Sequence, residues 1–578
     1  MIRQQETRKC QNCKSEFVIE PADFDFYARM KVPPPTFCPE CRVKRRGVFR
    51  NERNFFKRVC DLCKKEIISI YSGGVKFPVY CDGCYWSDKW DPMDYGINYD
   101  GSQPFLEQWK NLSDIVPRVA LINKRSIKTY YSHLSSNNKD CYLAIESSFN
   151  ENIVYGYWMQ HCKDSVDNAF GTRSELCYET NAAFDSFKVR HSYPAIYECR
   201  DSWFLKYCTD CRDCFGCINL KHKQHCFLNE QLSKDEYEKS IKELDLDSRS
   251  GIEKAAQTVK DFYLTQPHRA VAIINGINST GNYMTDVKHC RNCFFAYNAE
   301  DCKYSAHILN NVRDCYDVDT AGEGAELLYE DLNTALSVSR IYFSNRCWTG
   351  HEIEYSESMD DCFSCFGCIS LKNKAHCILN KQYSKEDYEV LRKKIMEDMR
   401  TNPYKDSRGN SYSYGEFFPA EFSPFAYNET IAHEYYPLEI KQAIAKGFRW
   451  KEVKEAESSK KSANDVLSCG HNGRCNDNCT RVFRLIPAEL KFYNDMKLPL
   501  PNLCPNCRHG ERIRALNPFQ LWHRKCACAG EKDDKNIYQN TVKHFHENSH
   551  CPNEFETSYA PERQEIVYCE QCYNSEVA

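Results

Sequence analysis

The chain has 578 residues, 36 of which are cysteine, and its formal net charge is −4. It contains no apolar run long enough to cross a membrane, and its first residues, MIRQQETRKC, are polar, so we expect neither a membrane span nor a secretory signal but a cytoplasmic protein. Thiols stay reduced in that compartment, so cysteines that recur as CxxC pairs indicate metal ligands rather than disulfides.

The charge is divided unevenly along the chain. Residues 1–60 have a net charge of +7, residues 479–528 have +6, and the remainder has −17. Basic ends favour an anionic partner there, whereas the acidic centre favours a protein partner.

The first predicted domain, residues 1–95, contains two successive pairs of CxxC motifs. A CxxC turn presents two thiolates to one ion, and a second such turn completes a tetrahedral site. Four thiolates fill the coordination shell, so the sites are predicted to be structural rather than catalytic. The predicted zinc ligands are Cys10, Cys13, Cys38 and Cys41 in the first site, and Cys60, Cys63, Cys81 and Cys84 in the second.

Each CxxC turn of such a site is called a knuckle. A basic segment, RVKRRGVFRNERNFFKR, follows the second knuckle of the first site. Its cations exceed what is needed to offset the thiolate charge, which favours a phosphate-binding surface on a short helix. The alternative is that the cations only balance the metal site. The predicted nucleic-acid-binding residues of this segment are Arg42, Lys44, Arg45, Arg46, Arg50 and Arg53.

The centre of the chain is duplicated. Residues 211–238 and 362–389 are identical at 18 of 28 positions, which predicts central repeats over 96–250 and 251–400. Short segments such as DCYLAI and NCFFAY, separated by polar residues, indicate strands stacked as a β-solenoid, with a mixed α+β domain as the competitor. Ser233 and Ser384 have the spacing of helix caps, so a helix is predicted to close each repeat.

A ladder of cysteines in the first repeat, Cys208, Cys211, Cys214 and Cys217, has a three-residue spacing. We consider three interpretations: additional zinc, an iron–sulfur cluster, or thiols packed in the core. Met359 replaces the first cysteine in the second repeat and no Cys-Pro follows the run, which argues against the cluster.

A linker is predicted over 401–467, with an aromatic part that packs and a charged part, residues 454–465, that is mobile. The last domain, 468–578, repeats the first: residues 13–41 and 479–507 are identical at 13 of 29 positions. Two further zinc sites are predicted, with Cys469 or His471 as alternatives to Cys475, and Cys551 or a histidine of HFHENSHC as alternatives to Cys528. Their ligands are Cys475, Cys479, Cys504 and Cys507, then Cys526, Cys528, Cys569 and Cys572, and the basic residues beside them are Arg508, Arg512 and Arg514.

The stretch CQNC, FVIEPADFDFY and VPPPTFCPECRVKRR resembles the small bacterial "probable zinc-ribbon" domain of treble-clef type. The similarity covers about 35 residues at each end of the chain, and the whole arrangement resembles uncharacterised bacterial multi-zinc proteins. This resemblance implies zinc ligation at Cys10, Cys13, Cys38 and Cys41 and at Cys479, Cys504 and Cys507, but no activity.

The sequence therefore predicts a multidomain, mainly β protein with short helices, in which treble-clef or ribbon modules flank a duplicated centre. We expect about four zinc ions. The predicted function is a non-catalytic scaffold that binds nucleic acid or ribonucleoprotein through its basic zinc modules. The alternatives are a scaffold for protein partners and a redox or iron–sulfur protein.

Overall fold

A computed structural model describes residues 4–194, 196–304, 306–309, 319–321, 338–339, 345–347, 350–452 and 466–577. The chain divides into two compact units. Unit 1 comprises Met1–Leu121 and Ile273–Glu452, and unit 2 comprises Ile122–Ala272 and Val453–Ala578. Each unit therefore combines one cysteine-rich end with the central repeat that is more distant in sequence. The charged part of the predicted linker, 454–465, lies outside the described residues.

The N-terminal segment of unit 1 consists of two antiparallel hairpins, four helices and a parallel strand pair, β5 with β6. A 3₁₀ turn, Pro92–Tyr95, precedes the last helix. The strands are Glu6–Lys9 (β1), Glu16–Ile19 (β2), Phe56–Val59 (β3), Glu66–Ser69 (β4), Val79–Tyr80 (β5) and Arg118–Val119 (β6), and the helices are Pro21–Met30 (α1), Pro39–Gly47 (α2), Asp82–Tyr85 (α3) and Phe105–Ser113 (α4).

The first central segment, in unit 2, has short parallel strands and closes with two helices. Its strands are Asn123–Lys124 (β7), Ser135–Ser136 (β8), Glu151–Val154 (β9), Lys163–Val166 (β10), Ala183–Phe184 (β11), Ile196–Tyr197 (β12), Cys226–Phe227 (β13), Glu230–Gln231 (β14) and Pro267–Arg269 (β15), and its helices are Lys234–Glu243 (α5) and Arg249–Leu264 (α6).

In its described residues, the second central segment, in unit 1, has two five-stranded sheets. One sheet is entirely parallel, and the other is parallel except for the pair formed by its last two strands. Its strands are Ile273–Ile277 (β16), Gly281–Lys288 (β17), Cys293–Tyr297 (β18), Ala306–Leu309 (β19), Asp319–Ala321 (β20), Val338–Ser339 (β21), Asn345–Cys347 (β22), Gly350–Glu354 (β23), Glu357–Met359 (β24), Cys362–Phe366 (β25), Ala375–Ile378 (β26) and Lys381–Gln382 (β27).

The segment that follows covers the described part of the predicted linker. It contains Lys385–Thr401 (α7), the hairpin Tyr404–Lys405 (β28) and Ser411–Tyr412 (β29), the 3₁₀ turns Ala420–Phe422 and Tyr427–Glu429, and the helices Ile431–Tyr435 (α8) and Ile440–Ala445 (α9). Aromatic side chains such as Phe417 and Phe418 are fully buried in the main core of unit 1. This stretch is therefore packed structure, as the sequence predicts for the aromatic part.

The C-terminal segment of unit 2 repeats the arrangement of the N-terminal one. Its strands are Val466–Ser468 (β30), Val482–Arg484 (β31), Trp522–Lys525 (β32), Glu554–Thr557 (β33) and Ile566–Tyr568 (β34), and its helices are Pro487–Met496 (α10), Pro505–Arg514 (α11) and Glu570–Val577 (α12). Helices α1 and α10 both begin with proline, and each is followed by a left-handed lysine, Lys31 or Lys497. The parallel pair β15 with β34 matches β6 with β5.

The central segment of unit 2 is a stack of rungs that are 12 residues long, except for one of 13 residues where Ala183 pairs with Ile196. Parallel bridges join residues 12 apart, as in Tyr130 with Tyr142 and Tyr142 with Val154. A residue with positive φ recurs at every third position, such as Asp210 and Asp213, and turns the chain at the corners of each rung. L-residues pay about 1–2 kcal/mol for this conformation, so packing inside the stack has to compensate.

One residue in three points into the stack, and most of these residues are small, with larger ones such as Met159 and Leu205 between them. Ser135 Oγ donates to Ala144 O at 2.7 Å, and Cys208 Sγ donates to Cys217 O at 3.4 Å, so both reach the carbonyl nine residues ahead. Cysteine suits this position because it is a small hydrophobe with a weak donor. The stack therefore explains the three-residue spacing of the central cysteines.

Each central segment is followed by a helix with a serine N-cap, as the sequence predicts. Ser233 Oγ accepts from Glu236 N at 3.3 Å at the start of α5, and Ser384 Oγ accepts from Asp387 N at 3.0 Å at the start of α7. Both capped helices predicted from the sequence are confirmed. Among the described residues, no helix is long and apolar enough to traverse a bilayer.

Candidate metal centres

The N-terminal segment brings both predicted sets of four cysteines together. In each set every pair of sulfur atoms lies within 4.8 Å. Cys13 Sγ is 3.6 Å from Cys38 Sγ, and Cys63 Sγ is 3.8 Å from Cys81 Sγ. A tetrahedral ion with bonds of about 2.3 Å to sulfur separates its ligands by about 3.8 Å, so these spacings fit one ion per set.

Main-chain donors prepare these thiols to ligate as thiolates. Cys38 N donates to Cys10 Sγ and Cys81 N donates to Cys60 Sγ, each at 3.3 Å. Burial raises the pKa of Cys60, but the backbone N–H groups of Cys63, Cys81 and Leu62 outweigh it and lower that pKa to about 6. Hydrogen bonds to the charged form favour deprotonation, which metal binding requires.

The third set contains Cys469 together with three of the predicted ligands, Cys479, Cys504 and Cys507. Cys504 N donates to Cys469 Sγ at 3.3 Å, the same contact that Cys38 makes with Cys10, so Cys469 occupies the first ligand position. This is one of the alternatives left open by the sequence. Cys475, the predicted ligand, also lies close, with its Sγ 3.4 Å from that of Cys507, so five thiols meet at this site.

The fourth set contains Cys551 in place of the predicted Cys528, together with Cys526, Cys569 and Cys572. Cys572 Sγ lies 3.6 Å from Cys551 Sγ, which lies 3.9 Å from Cys569 Sγ. Cys528 instead faces a histidine, with its Sγ 3.3 Å from His544 Nδ1. An insertion between Cys526 and Cys551 widens the first knuckle, and sequence spacing alone cannot decide which cysteine folds back to close it.

The central ladder, the predicted possible additional metal site, has a structural use. Cys208, Cys211, Cys214 and Cys217 are all buried, and each sulfur lies within hydrogen-bond distance of two carbonyls, one two residues before it and one nine residues after it. Burial also raises the pKa of Cys177, at an equivalent position, to about 11. These contacts fit the third of the sequence interpretations, thiols packed in the core. Cys211 also hydrogen-bonds to Cys199, Cys208 and Cys214, and additional zinc at the ladder stays a prediction.

Two basic residues of α11, Arg508 and Arg512, lie inside unit 2 rather than on its surface. Arg508 and Arg512 are 3% and 4% exposed. Arg508 Nε lies 3.2 Å and Arg512 Nη1 lies 3.0 Å from the carboxylate of Asp167, which is fully buried on the rung stack. Arg512 also lies 3.0 Å from Glu179, one rung further on. The two arginines dock the module on the stack.

The basic residues that follow the N-terminal knuckle are also enclosed. Arg45 Nη1 lies 3.0 Å from Glu416, and the Arg45 guanidinium lies 4.2 Å from the centroid of the Phe37 ring. Arg50 pairs with Glu52. Among the predicted nucleic-acid-binding residues, Arg42, Lys44, Arg45, Arg46 and Arg50 are buried, Arg53 is half-buried, and Arg514 is exposed but paired with Asp477.

The two ends share this internal use of arginine. Arg42 Nη1 donates to Tyr27 Oη at 3.4 Å, and Arg508 Nη1 donates to Tyr493 Oη at 3.0 Å, at matching positions of the two modules. The arginine that follows each second knuckle therefore ties the knuckle helix to the preceding helix. Seven of the nine predicted nucleic-acid-binding residues are thus buried, and nucleic-acid binding stays a prediction.

Sequence reasoning missed the acidic partners of these arginines. Asp167 and Glu179 precede Arg512 in the sequence by at least 333 residues. The residues around them give no indication that they pair with an arginine. A 12-residue period, once recognised, would place them in one column of the stack. Comparison with known proteins adds no assignment, since no family model and no curated protein matches this chain.

Proposed function

We propose that this chain is a cytoplasmic, zinc-stabilised, non-catalytic scaffold that binds a protein partner. The observation that carries the proposal is the closure of four sets of four thiols, two at each end of the chain. A shell of four thiolates leaves no position for a water or substrate, so such ions stabilise folds rather than catalyse reactions.

The donor chemistry supports zinc. Soft thiolates at tetrahedral spacing favour Zn²⁺ or iron–sulfur sites over hard cations. Two hairpin knuckles whose second cysteine pair begins a short helix, as Cys38 does for α2 and Cys504 for α11, are expected of treble-clef modules. We interpret the two rung stacks as β-solenoids to which these modules are attached.

The surface of the first rung in unit 2 supports a protein partner. Ile127 and Tyr130 are 62% and 61% exposed, and Tyr131 beside them is exposed as well. Exposed apolar residues that cluster mark protein-binding surfaces more often than nucleic-acid-binding ones. Nucleic-acid binding was the first prediction from the sequence, but the burial and pairing of Arg508, Arg512 and Arg45 favour the protein alternative.

The metal part of the proposal is tested by elemental analysis and an absorption spectrum of the purified full chain. A colourless protein that retains zinc after dialysis supports it. A brown protein with iron and sulfide would replace it with the iron–sulfur alternative.

The partner is tested by crosslinking the full chain in its native cytoplasm and comparing it with the variant Ile127→Ser/Tyr130→Ser. Phe363→Ser, at another exposed apolar residue, is the matched control. We expect one protein that crosslinks to the wild-type chain and to the Phe363→Ser control to be absent from the crosslinked products of the double variant. Salt-sensitive binding of generic RNA or DNA that disappears in Arg45→Glu/Arg46→Glu, with no protein captured, would restore the nucleic-acid alternative.

A further inference from the structure

The insertion in the last zinc module carries a second group of ligands beside the Cys526 set. Cys528, His544, His546 and Cys572 are all buried, and their ligand atoms lie within 4.8 Å of one another. Cys528 Sγ is 3.3 Å from His544 Nδ1, and Cys572 Sγ is 3.4 Å from His546 Nε2. Cys572 belongs to both groups, because its Sγ also lies 3.6 Å from Cys551 Sγ.

Hydrogen bonds orient both imidazoles as ligands. His544 Nε2 lies 2.8 Å from Glu576 Oε1, and both side chains are fully buried. His546 Nδ1 lies 2.7 Å from Ser549 O, an acceptor only. Since a neutral imidazole has one N–H, these partners leave the lone pairs of His544 Nδ1 and His546 Nε2 directed at the thiols. A ligating histidine ordinarily donates its other N–H to a carboxylate or a carbonyl in this way.

The thiols are held from outside as well. Asn540 Nδ2 donates to Cys528 Sγ at 3.1 Å, and Asn553 Nδ2 donates to Cys569 Sγ at 3.3 Å. Glu576, which holds His544, accepts from Thr541 N at 3.0 Å and from Tyr538 Oη at 3.0 Å. Cys528, His544 and His546 are therefore each fixed by a second contact, as in a preorganised metal site.

We propose that this module binds two zinc ions that share the Cys572 thiolate. One ion is held by Cys526, Cys551, Cys569 and Cys572, and the other by Cys528, His544, His546 and Cys572. Seven side chains thus provide eight ligand positions, two tetrahedra with a common corner.

Charge favours the pair. A single ion with four thiolates has a charge of −2, and it is buried. The second ion brings two positive charges and adds only one thiolate, so the pair has a net charge of −1. Removing charge from a buried site lowers its desolvation cost.

The ligands map onto the insertion. The corresponding N-terminal module has two residues between Cys60 and Cys63, whereas 24 residues separate Cys526 from Cys551. This longer segment supplies Cys528, His544 and His546. The second ion therefore organises a segment that the N-terminal module lacks.

The test is the number of zinc ions per chain, measured by mass spectrometry of metals with protein quantified by amino-acid analysis. The inference rests on the proposed zinc binding at Cys572. We expect five ions in the wild-type chain and four in His544→Ala and in Cys528→Ser. His550→Ala, an exposed histidine of the same segment, should retain five, and His544→Cys should restore the fifth ion because thiolate can replace imidazole.

The criterion is the difference of one ion between the wild-type chain and His544→Ala, whatever the total. Four ions in both proteins would overturn the second site and leave the proposed function standing. A metal-free wild-type chain with ordered modules would overturn both. The wild-type count does not depend on any variant folding, so failure of His544→Ala to fold would not protect the inference.

Discussion

Buried arginines are the residues whose environment differs most from what their sequence context indicates. A cluster of cations beside a zinc knuckle predicts an exposed phosphate site, yet Arg508 and Arg512 meet Asp167 in the interior of unit 2. Separating such a pair leaves an uncompensated charge in a medium of low dielectric constant, which costs far more than breaking an exposed pair.

The substitution Asp167→Asn is therefore expected to destabilise unit 2 by about 1.5–3 kcal/mol, because it removes the buried carboxylate that Arg508 and Arg512 share, while Glu489 and Glu179 still balance the two guanidinium charges. Glu151→Gln on the same stack is the control, since it breaks an exposed pair with Lys139 and should cost less than about 1 kcal/mol. The free energy of unfolding in urea measures both. Equal losses would show that the docking pairs contribute no more than surface charges.

A second residue-scale prediction concerns His191, whose imidazole packs as an aromatic ring among other rings of unit 2. Its ring packs against Tyr178, Trp203 and Phe204, with centroids 5.2–5.9 Å apart. Burial, helped by the Arg190 charge, lowers the pKa of His191 to about 3. Below about pH 6.5 the imidazole of His191 is protonated in the unfolded chain but stays neutral in the folded chain. The free energy of unfolding therefore decreases as the pH falls from about 6.5 towards 3.

We expect His191→Phe to remove about 1.4 kcal/mol per pH unit from the pH dependence of unfolding between pH 6.5 and 5. Phenylalanine retains the ring contacts. His222→Phe, at an exposed histidine of the same stack, is the control and should leave the slope unchanged. An unaltered slope in His191→Phe would mean that the imidazole is protonated without unfolding.

At the scale of elements, the same CxxC spacing arises from two different structures. In the end modules it is a hairpin knuckle, where two thiols converge on one ion. In the rung stack it is the interval between corners, where successive thiols enter the interior and donate to carbonyls nine residues ahead. Two CxxC pairs separated by a longer segment indicate a metal-binding module. An uninterrupted run of cysteines at equal three-residue intervals is typical of the rung stack.

This difference limited what could be predicted from sequence. The helix caps at Ser233 and Ser384 and the knuckles at Cys10 and Cys38 are local, so neighbouring residues determine them. The corners of the rungs have no fixed residue type: Asp213, Leu143 and His191 all adopt positive φ, so glycine does not reveal them. Ligand choice in the last module, and the partners of Arg508, depend on contacts distant in sequence.

The element-scale prediction contrasts the two kinds of cysteine. Cys217→Ser should leave the zinc content unchanged and cost at most about 2 kcal/mol, because serine donates to the same carbonyls at other interior positions such as Ser135. Cys507→Ser should lose one ion and unfold its module. Metal analysis and thermal unfolding of the two variants measure both outcomes. Loss of metal from Cys217→Ser would instead support the additional zinc site in the ladder.

At the scale of the whole molecule, the rung stack of unit 2 and the cysteine modules differ in the size of their cores, and therefore in their expected stability without metal. A rung stack buries a continuous interior along its length, and its neighbouring rungs support one another. Three of the four modules have small cores centred on their thiols, as in the cluster of Cys469, Phe483, Cys504 and Cys507, whereas the module around Cys10 shares the main core of unit 1. The stacks are thus expected to hold without metal, and those three modules are not.

Removal of zinc by a chelator from the full chain should therefore unfold both ends and spare the centre. Without the ions, four thiolates per site repel one another and the small cores cannot offset the chain entropy. Hydrogen exchange should become fast in residues 60–85 and 466–577, where the cores are small, while residues 130–228 remain protected. Readdition of zinc should restore protection, which separates this effect from irreversible aggregation. Ends that stay protected after all metal is removed would show that docking on the stack, through pairs such as Arg508 with Asp167, suffices to fold them.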